Sequence, residues 1–547
     1  MATIAVLMFF CLLLCCLYVM RGKIRSFLAP FRDPGFLSVV LGANLAAVLY
    51  LALSRQVYFW DNAGYWESAA AMSKLAFSHP WQFVKELAES IYASDYNYMP
   101  AVLPALAMAA FGAGRLVFVL SIVNFYFVPF LCLLYKAAKD FTGFLAAVFC
   151  LPMVFYLALL GFLDVGGVFL AAAALYIFLF CKADPKIDFC GGTALCLLVL
   201  FRRWYVFFAA GFVLCAVAYA LVLRGEKLKK AAFTLLGFLA PLFAFFFGYV
   251  TNRLLGRNYA DIYSAYKFSF GADVRIFLRY FGILPLLAMA GYAVYILAAK
   301  KREKLAQTIF LCALAPAIFA MFVMVQTHGQ QHLLLYAPAF ALLLANFAGS
   351  SKRAKAIAAA VAALCSAGIF LPFAQPQSLG EISSYAPIPS FSVYPAVRED
   401  AKALADLALY VENLEGDVAV LASSFVLNAD IIAKTKASLD CFMPLERSKN
   451  IAYLPEVDKR DGKPYNIVYV SYIVLALPIQ THLNPDEQRA VAVPARMLSS
   501  DTPFAKAFEK MDVSFGLKDG VTAYVYRRTR PNTEEEMGEM WNAIDSP

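Results

Sequence analysis

Long apolar runs separated by short polar connections fill the first 374 residues of the chain. Many of these runs approach the roughly 20 residues that an α-helix needs to cross a bilayer. They predict twelve membrane spans, at residues 1–20, 36–54, 115–135, 143–160, 166–181, 189–203, 206–223, 231–250, 280–299, 305–326, 333–348 and 354–374. Two longer polar loops interrupt the series, at about residues 55–114 and 251–279. The pattern therefore predicts a polytopic α-helical membrane domain of about 12 transmembrane helices over residues 1–374.

The pattern changes in the last third of the chain, where four prolines punctuate a polar linker over residues 376–395. A helical pattern follows at residues 397–414. Three later segments have the composition of β-strands: 417–424, 465–472 and 521–526. About 150 residues are enough to bury one small core. Residues 375–547 are therefore predicted to form a soluble α/β domain.

Charge predicts how the chain crosses the membrane. The 547 residues are 62% hydrophobic and carry a net charge of +9. The lysines and arginines gather in short clusters at alternate connections between apolar runs, which the positive-inside rule places in the cytoplasm. Topology thus explains the basic charge, and no nucleic-acid partner is expected. The cytoplasmic (inner) membrane is the predicted location, with both long loops and the C-terminal domain on the extracytoplasmic side.

Cysteines and short motifs exclude several kinds of site. Eleven of the 12 cysteines precede residue 375, and only Cys441 lies in the C-terminal region, so no disulfide framework is expected there. The sequence has neither paired CxxC motifs nor a Gly-rich nucleotide loop. A cytoplasmic nucleotide site is therefore not expected.

The polar stretch from Phe59 to Glu67 holds the main candidate for chemistry. Asp61 follows the apolar run 36–54 and is flanked by aromatic residues, where a lipid-borne substrate would present its polar head. Tyr65 and Glu67 follow on the same predicted helix, and Glu67 can share a face with Asp61. Two structural alternatives remain open, because Asp61 could cap that helix and Glu67 could simply be solvated.

The order of these features resembles the GT-C glycosyltransferases. A carboxylate after an early span precedes a Pro-punctuated stretch, Tyr96 to Pro104, and then many spans and an exported domain. Within that superfamily the chain looks most like bacterial relatives of the dolichyl-phosphate-mannose protein mannosyltransferases and the lipid A aminoarabinose transferases. The resemblance implies transfer of a sugar, with inversion, from a polyprenyl-phosphate donor to an extracytoplasmic glycan, lipid or protein. Membrane lipids are further expected partners.

The resemblance also implies roles for three acidic residues. Asp61 matches the family's catalytic position, where a carboxylate takes the acceptor's proton. Asp95 precedes the proline motif, as acidic residues do in the relatives, and Asp164 lies in a loop that lines their cavity. In the aminoarabinose transferases, a phosphate-binding lysine follows the acid that corresponds to Asp95. Asn97 and Tyr98 occupy that neighbourhood here. Ordinary loop and turn roles for Asp95 and Asp164 remain alternatives.

Cations at outer helix ends are candidates for binding the donor phosphate. Arg202 and Arg203 end a short apolar run with aromatic neighbours, and guanidinium groups match phosphate oxygens. The loop 251–279 adds five cations interleaved with tyrosines, of which Arg275 and Arg279 are assigned to the phosphate. That loop contains Arg253, Arg257, Lys267, Arg275 and Arg279. Snorkelling arginines and an interfacial amphipathic helix are the structural alternatives.

The segment from Thr327 to His332 supplies two histidines, His328 and His332, which could contact sugar or phosphate. Interfacial hydrogen bonding is the alternative role, and their spacing does not make a zinc motif. Some GT-C enzymes need a divalent cation, so the resemblance leaves such a cofactor open without assigning its ligands.

Two other classes of protein compete with the transferase. A transporter or flippase for a lipid-linked or anionic substrate would also have about twelve spans, although transporters commonly show internal symmetry and broken helices near the midplane. A non-catalytic assembly or sensor protein would use the exported domain to bind a partner. The gathering of polar residues at one face favours the enzyme.

Overall fold

The computed structural model describes residues 1–138, 140–299, 302–370, 386–391, 393–446 and 450–546. The first 370 residues are mainly helical. The α-helices in their described part are α1 (Ala2–Val19), α2 (Arg21–Phe27), α3 (Pro34–Leu53), α4 (Trp60–Ala76), α5 (Pro80–Ala93), α6 (Val102–Phe111), α7 (Arg115–Ile122), α8 (Val128–Ala138), α9 (Phe141–Cys150), α10 (Met153–Leu159), α11 (Val165–Phe180), α12 (Pro185–Phe201), α13 (Tyr205–Leu223), α14 (Glu226–Tyr249), α15 (Tyr259–Ile262), α16 (Phe270–Phe281), α17 (Ile283–Ala299), α18 (Arg302–Phe322), α19 (Ala337–Ala348) and α20 (Lys352–Phe370).

Several of these helices are long and apolar enough to cross a membrane. Among the described residues there are seven such segments, with Arg115–Ala138 (α7 through α8) counted as one, or nine if the bent pairs α9–α10 and α16–α17 each form one span. The prediction of a multi-pass membrane protein is confirmed. The predicted count of twelve is not confirmed, because three predicted spans fall on the shorter helices α11, α12 and α19, of 16, 17 and 12 residues.

Close packing of α12 against α14 fixes the helix that ends at the site described below. A Cβ atom at Gly192 would lie 2.0 Å from the carbonyl oxygen of Thr234, and one at Gly237 would lie 2.1 Å from that of Phe189. Only glycine permits this approach of two helix backbones. At its start, α12 is capped by Asp184, whose carboxylate accepts from the amides of Lys186 and Ile187.

The C-terminal region forms a mixed five-stranded sheet flanked by helices. Its strands are β1 (Val418–Leu421), β2 (Ile451–Ala452), β3 (Tyr472–Leu477), β4 (Phe508–Gly516) and β5 (Thr522–Arg528). Its described α-helices are α21 (Ala401–Glu412), α22 (Ala429–Leu439), α23 (Asp458–Asp461), α24 (Arg489–Leu498) and α25 (Glu534–Asp545). The strand order is β2-β1-β3-β5-β4, with β2, β1 and β3 parallel and β5 antiparallel to both neighbours. The predicted α/β domain is confirmed.

One predicted strand is wrong. Residues 465–472 contain a 3₁₀-helix, Tyr465–Tyr469, and β3 begins only at Tyr472. Tyr465 and Tyr469 are exposed while Ile467 is buried, although residues two apart would share one face of a strand. The real strand is buried on both faces and therefore shows no alternation. The predicted strands at 417–424 and 521–526 correspond to β1 and β5.

The sheet domain packs directly on the membrane domain. The amide of Arg55 donates to the carbonyl of Ala396 at 2.8 Å, and that of Leu116 to the carbonyl of Cys441 at 3.0 Å. Cys441 and Leu445 join the apolar core of the membrane domain. The predicted boundary between residues 374 and 375 lies outside the described residues. The start of α4 is thus held between the two parts of the chain.

Candidate active site

Trp60, at the start of α4, is anchored in the C-terminal domain. Its backbone amide donates to Asp430 Oδ2 at 2.8 Å, and its indole Nε1 donates to Glu456 Oε2 at 2.8 Å. The indole ring lies 4.3 Å from the His482 ring. Trp60 has φ +48°, a left-handed conformation that costs a bulky residue about 1–3 kcal/mol and persists only where the surroundings hold it. The C-terminal domain therefore fixes the residue next to Asp61.

Asp61 is directed away from the helix that carries it. The N-cap of α4 is Phe59, so Asp61 does not occupy the capping position considered above. Asp61 Oδ2 accepts from Gln331 Nε2 at 3.1 Å. Burial raises the pKa of Asp61, while the nearby charge of Arg202 opposes that shift. The result is a proton acceptor stronger than an ordinary aspartate.

Arg202 and Asp164 form an enclosed ion pair. Arg202 Nε lies 3.1 Å from Asp164 Oδ1, and their side chains are only 2% and 0% exposed. The guanidinium contacts the Tyr65 hydroxyl and faces three aromatic rings. Its Cζ lies 4.6 Å from the ring centroids of Tyr65 and Tyr96 and 4.1 Å from that of Trp204. Asp164 thus neutralises the charge of Arg202 inside an aromatic cage.

Glycines beside Asp164 make this arrangement possible. A Cβ atom at Gly167 would lie 2.1 Å from the Tyr205 ring, so only glycine lets that ring approach α11. The Tyr205 hydroxyl donates to the backbone carbonyl of Asp164 at 2.8 Å. The second carboxylate oxygen, Oδ2, is buried and has no hydrogen-bond partner within the described part of the chain. It is an acceptor that a ligand hydroxyl could satisfy.

Asp95 lies among three arginines. Arg203 contacts Asp95 at 3.0 Å, and Arg253 and Arg257 each contact it at 3.2 Å. The Tyr259 hydroxyl donates to the same carboxylate at 3.0 Å. Burial alone would raise the pKa of Asp95, but Arg203 and the other partners together lower it. With three cations around one anion, the arginine cluster (Asp95, Arg203, Arg253 and Arg257) has two positive charges in excess.

The two predicted histidines hold the loop that carries Gln331. His328 Nδ1 lies 2.6 Å from Asp273 Oδ1, and its Nε2 lies 2.7 Å from the Tyr336 hydroxyl, so both ring nitrogens have protein partners. His332 accepts from the Gly329 amide at 2.9 Å and packs with its ring 4.7 Å from that of Trp204. Burial lowers the pKa of His332 well below its ordinary value, so its ring is neutral.

Three other predicted residues lie in different surroundings. Glu67 Oε2 lies 3.2 Å from Lys434 Nζ and links α4 to α22. Arg275 is exposed on α16. Arg279 has its guanidinium 5.8 Å from the Tyr280 ring centroid, and its carbonyl accepts from Ser390 in the linker. The substrate-binding and phosphate-binding roles of these residues remain predictions.

Several residues at the site were not assigned from the sequence. Arg253 and Arg257 were identified among the cations of the loop 251–279, but the sequence did not indicate that they contact Asp95. Gln331, Glu456 and Arg460 lie far from Asp61 along the chain and gave no signal. For metals, the described residues hold no group of three or more His, Cys, Asp or Glu side chains placed to bind an ion.

Comparison with known proteins identifies the fold. No protein-family model and no curated protein sequence matches the chain. The crystal structure of ArnT from Cupriavidus metallidurans bound to undecaprenyl phosphate is similar, with a TM-score of 0.56 and 12% identity, over 92% of this chain and 98% of ArnT. ArnT in the apo state gives a TM-score of 0.55 and 14% identity over the same shares. The chain therefore has the fold of ArnT, a lipid A aminoarabinose transferase, which confirms the predicted GT-C resemblance at the level of the fold.

Proposed function

We propose that this protein is an integral membrane glycosyltransferase. It transfers a sugar from a polyprenyl-phosphate donor to an acceptor on the extracytoplasmic side, with Asp61 as the general base. Two observations carry the proposal: Asp61 is a half-buried carboxylate with a raised pKa, and the arginine cluster around Asp95 has excess positive charge. Tyr96 connects the two, because it is among the groups that lower the pKa of Asp61 and it directly follows Asp95 in the chain.

The arginine cluster is the proposed site of the donor phosphate. Arg203, Arg253 and Arg257 have more positive charge than Asp95 can neutralise, and guanidinium groups bind phosphate oxygens through paired hydrogen bonds. Arg202 fits this role less well than expected from the sequence, because Asp164 already neutralises it. Undecaprenyl phosphate, the lipid bound to ArnT in its crystal structure, has the headgroup chemistry that this cluster favours.

The proposed reaction is a single displacement. Asp61 takes the proton of an acceptor hydroxyl as its oxygen attacks the anomeric carbon of the donor sugar. The bond between that carbon and the phosphate oxygen breaks, and its electron pair leaves with the phosphate. The arginine cluster stabilises the added negative charge, and the carboxylates of Asp61 and Asp164 stabilise the positive charge that develops on the sugar ring. Attack opposite the leaving group inverts the anomeric configuration.

Asp164 is also proposed to orient the donor sugar. Its Oδ2 lacks a partner among the described residues, whereas Oδ1 is held by Arg202. A sugar hydroxyl donating to Oδ2 would complete the hydrogen bonding of a buried acceptor that otherwise carries a desolvation cost. The rigid aromatic cage around Arg202 would keep this oxygen in place.

The test compares wild type with Asp61→Asn in lipid. Purified protein is incubated with a panel of radiolabelled polyprenyl-phosphate sugars and membrane extract from its own host. We expect transfer by the wild type and a loss of about 10²–10⁴-fold in the variant, the usual contribution of a general base. Asp406→Asn is the matched control, because Asp406 is a surface residue of α21, 52% exposed and paired with Lys402.

Two outcomes would contradict the proposal. Equal transfer by wild type and Asp61→Asn would exclude Asp61 as the base. Silence with every donor, while labelled lipid crosses the bilayer of protein-containing vesicles, would favour the transporter class instead.

A further inference from the structure

Three polar residues of the C-terminal domain follow the carboxyl ends of its three parallel strands. Ser423 follows β1, Glu456 follows β2 and His482 follows β3. Because β2, β1 and β3 are adjacent and parallel, these ends meet at one edge of the sheet. In open α/β sheets, ligands bind outside the carboxyl ends of the strands. This edge is the place where the fold favours a binding site.

Hydrogen bonds hold these side chains in fixed positions. Ser423 Oγ lies 3.0 Å from His482 Nδ1, and Gln488 Nε2 donates to Ser423 Oγ at 3.1 Å and to the Glu456 carbonyl at 3.0 Å. Ser423 and Gln488 are fully buried, whereas His482 and Glu456 are half-buried at the rim. The buried Ser423 and Gln488 therefore hold His482 and Glu456 in place at a half-buried rim.

Two aromatic rings border the same edge. The Trp60 ring lies 4.3 Å from that of His482 and 5.1 Å from that of Phe425. Phe425 is 50% exposed. We name the strand-end site by its six residues: Trp60, Ser423, Phe425, Glu456, His482 and Gln488. An exposed phenylalanine and a half-buried tryptophan beside a few fixed polar groups suit a ligand that is apolar on one face and rich in hydroxyl groups at its edges.

The strand-end site adjoins the proposed catalytic carboxylate. Trp60 directly precedes Asp61, and Trp60 Nε1 donates to Glu456. Arg460 donates to the Tyr266 hydroxyl at 2.9 Å, which lies 3.5 Å from His482 Nε2, and the charge of Arg460 also acts on Asp61. A molecule held at the strand ends could therefore present a hydroxyl group to Asp61.

We infer that the strand-end site binds the acceptor and that the acceptor is a glycan. This inference rests on the proposed function and names the substrate class of its second site. The site's charge agrees with a neutral ligand. Burial lowers the pKa of His482 to about 4, so its ring is neutral near pH 7. Burial also raises the pKa of Glu456 to about 7, with Arg460 and Asp430 as its charged neighbours acting in opposite directions. A partly protonated carboxyl group can both donate to and accept from sugar hydroxyls.

The experiment measures glycan binding by the full-length protein in lipid nanodiscs. The probe is an array of immobilised oligosaccharides of defined structure, with peptides and lipid vesicles in parallel. We expect the wild type to bind a subset of the glycans. Phe425→Ala and Glu456→Gln should each weaken that binding about tenfold or more. Tyr469→Ala is the matched control, because Tyr469 is an 81% exposed aromatic residue before the amino end of β3.

Asp61→Asn separates this inference from the proposed function. It should abolish transfer but bind glycans like the wild type. Glycan binding by the wild type without transfer from any donor would contradict the proposed reaction but support the glycan site. Absence of glycan binding, binding of peptides or vesicles instead, or equal glycan binding by Phe425→Ala and Glu456→Gln would overturn the inference. Unchanged thermal unfolding of the variants excludes loss of folding as the cause.

Discussion

Arg202 and Arg203 are consecutive residues immediately after α12, yet they lie in different electrostatic surroundings. Arg202 is buried in an aromatic cage and neutralised by Asp164. Arg203 joins Arg253 and Arg257 around a single carboxylate, so positive charge remains in excess. The first pair is suited to building and holding the site, and the second cluster to binding an anion. Neighbours in sequence can therefore have different functions because the chain turns between them.

The stability of the protein should depend more on the enclosed pair, Arg202 and Asp164, than on the arginine cluster. Asp164→Asn leaves the buried charge of Arg202 without its ion-pair partner, which we expect to lower the free energy of unfolding by about 3–5 kcal/mol. Chemical denaturation in detergent measures this loss. The double variant Asp164→Leu with Arg202→Met should recover part of it. A stability change below about 1 kcal/mol in Asp164→Asn would show that the pair is not isolated from water.

Substitution of an arginine in the cluster should weaken donor binding and leave the stability of the protein unchanged. Arg257 is 41% exposed, so Arg257→Gln should leave thermal unfolding unchanged. It removes one charge-assisted contact to the donor phosphate, and we expect the donor KM to rise about tenfold, close to 1.4 kcal/mol. Steady-state kinetics with varied donor measures the effect.

Lys459→Gln is the control for Arg257→Gln, since Lys459 is a half-exposed cation paired with Asp261 outside the cluster. If both variants change the donor KM equally, the effect arises from general surface charge. The proposal that the arginine cluster binds the donor phosphate would then be contradicted.

The smallest expected effect is a shift of the pH–rate profile when Arg460 is replaced. Burial raises the pKa of Asp61, and the charges of Arg202 and Arg460 oppose that rise. The base acts only when ionised, so the rate falls as pH drops through this pKa. Arg460→Gln removes one opposing charge, which raises the pKa further and moves the acidic limb of the pH–rate profile to higher pH. Transfer rates between pH 4 and 9 measure the shift.

Arg527→Gln, which removes an exposed arginine paired with Glu509, should leave the profile in place. A limb that stays fixed in Arg460→Gln, or moves to lower pH, would show that Arg460 does not act on the base.

Much of the fold could be predicted from hydrophobic patterning. Apolar runs located the helices because a membrane span must satisfy its backbone within one segment. The pattern failed at short helices such as α19, which are apolar but too short to establish a span. It also failed at β3, where burial on both faces removes the alternation that marks a strand.

The candidate site was predictable in its residue types but not in its pairings. Asp61, Asp164 and Arg202 were identified as candidates, yet the neutralisation of Arg202 by Asp164 joins residues 38 positions apart. The choice of Arg275 and Arg279 over Arg253 and Arg257 had no support from spacing, because a loop with five cations does not indicate which of them face a carboxylate.

By itself, the sequence determined that this is a multi-pass membrane protein with an α/β region near its C-terminus, and that a carboxylate follows an early apolar run. These follow from local composition and periodicity, which act within one segment. Only the tertiary structure decided which arginine has its charge neutralised by a single carboxylate, and that Asp430 and Glu456 of the C-terminal domain hold Trp60, the residue before Asp61. Such properties depend on distance and burial, which arise when segments far apart in the chain pack together.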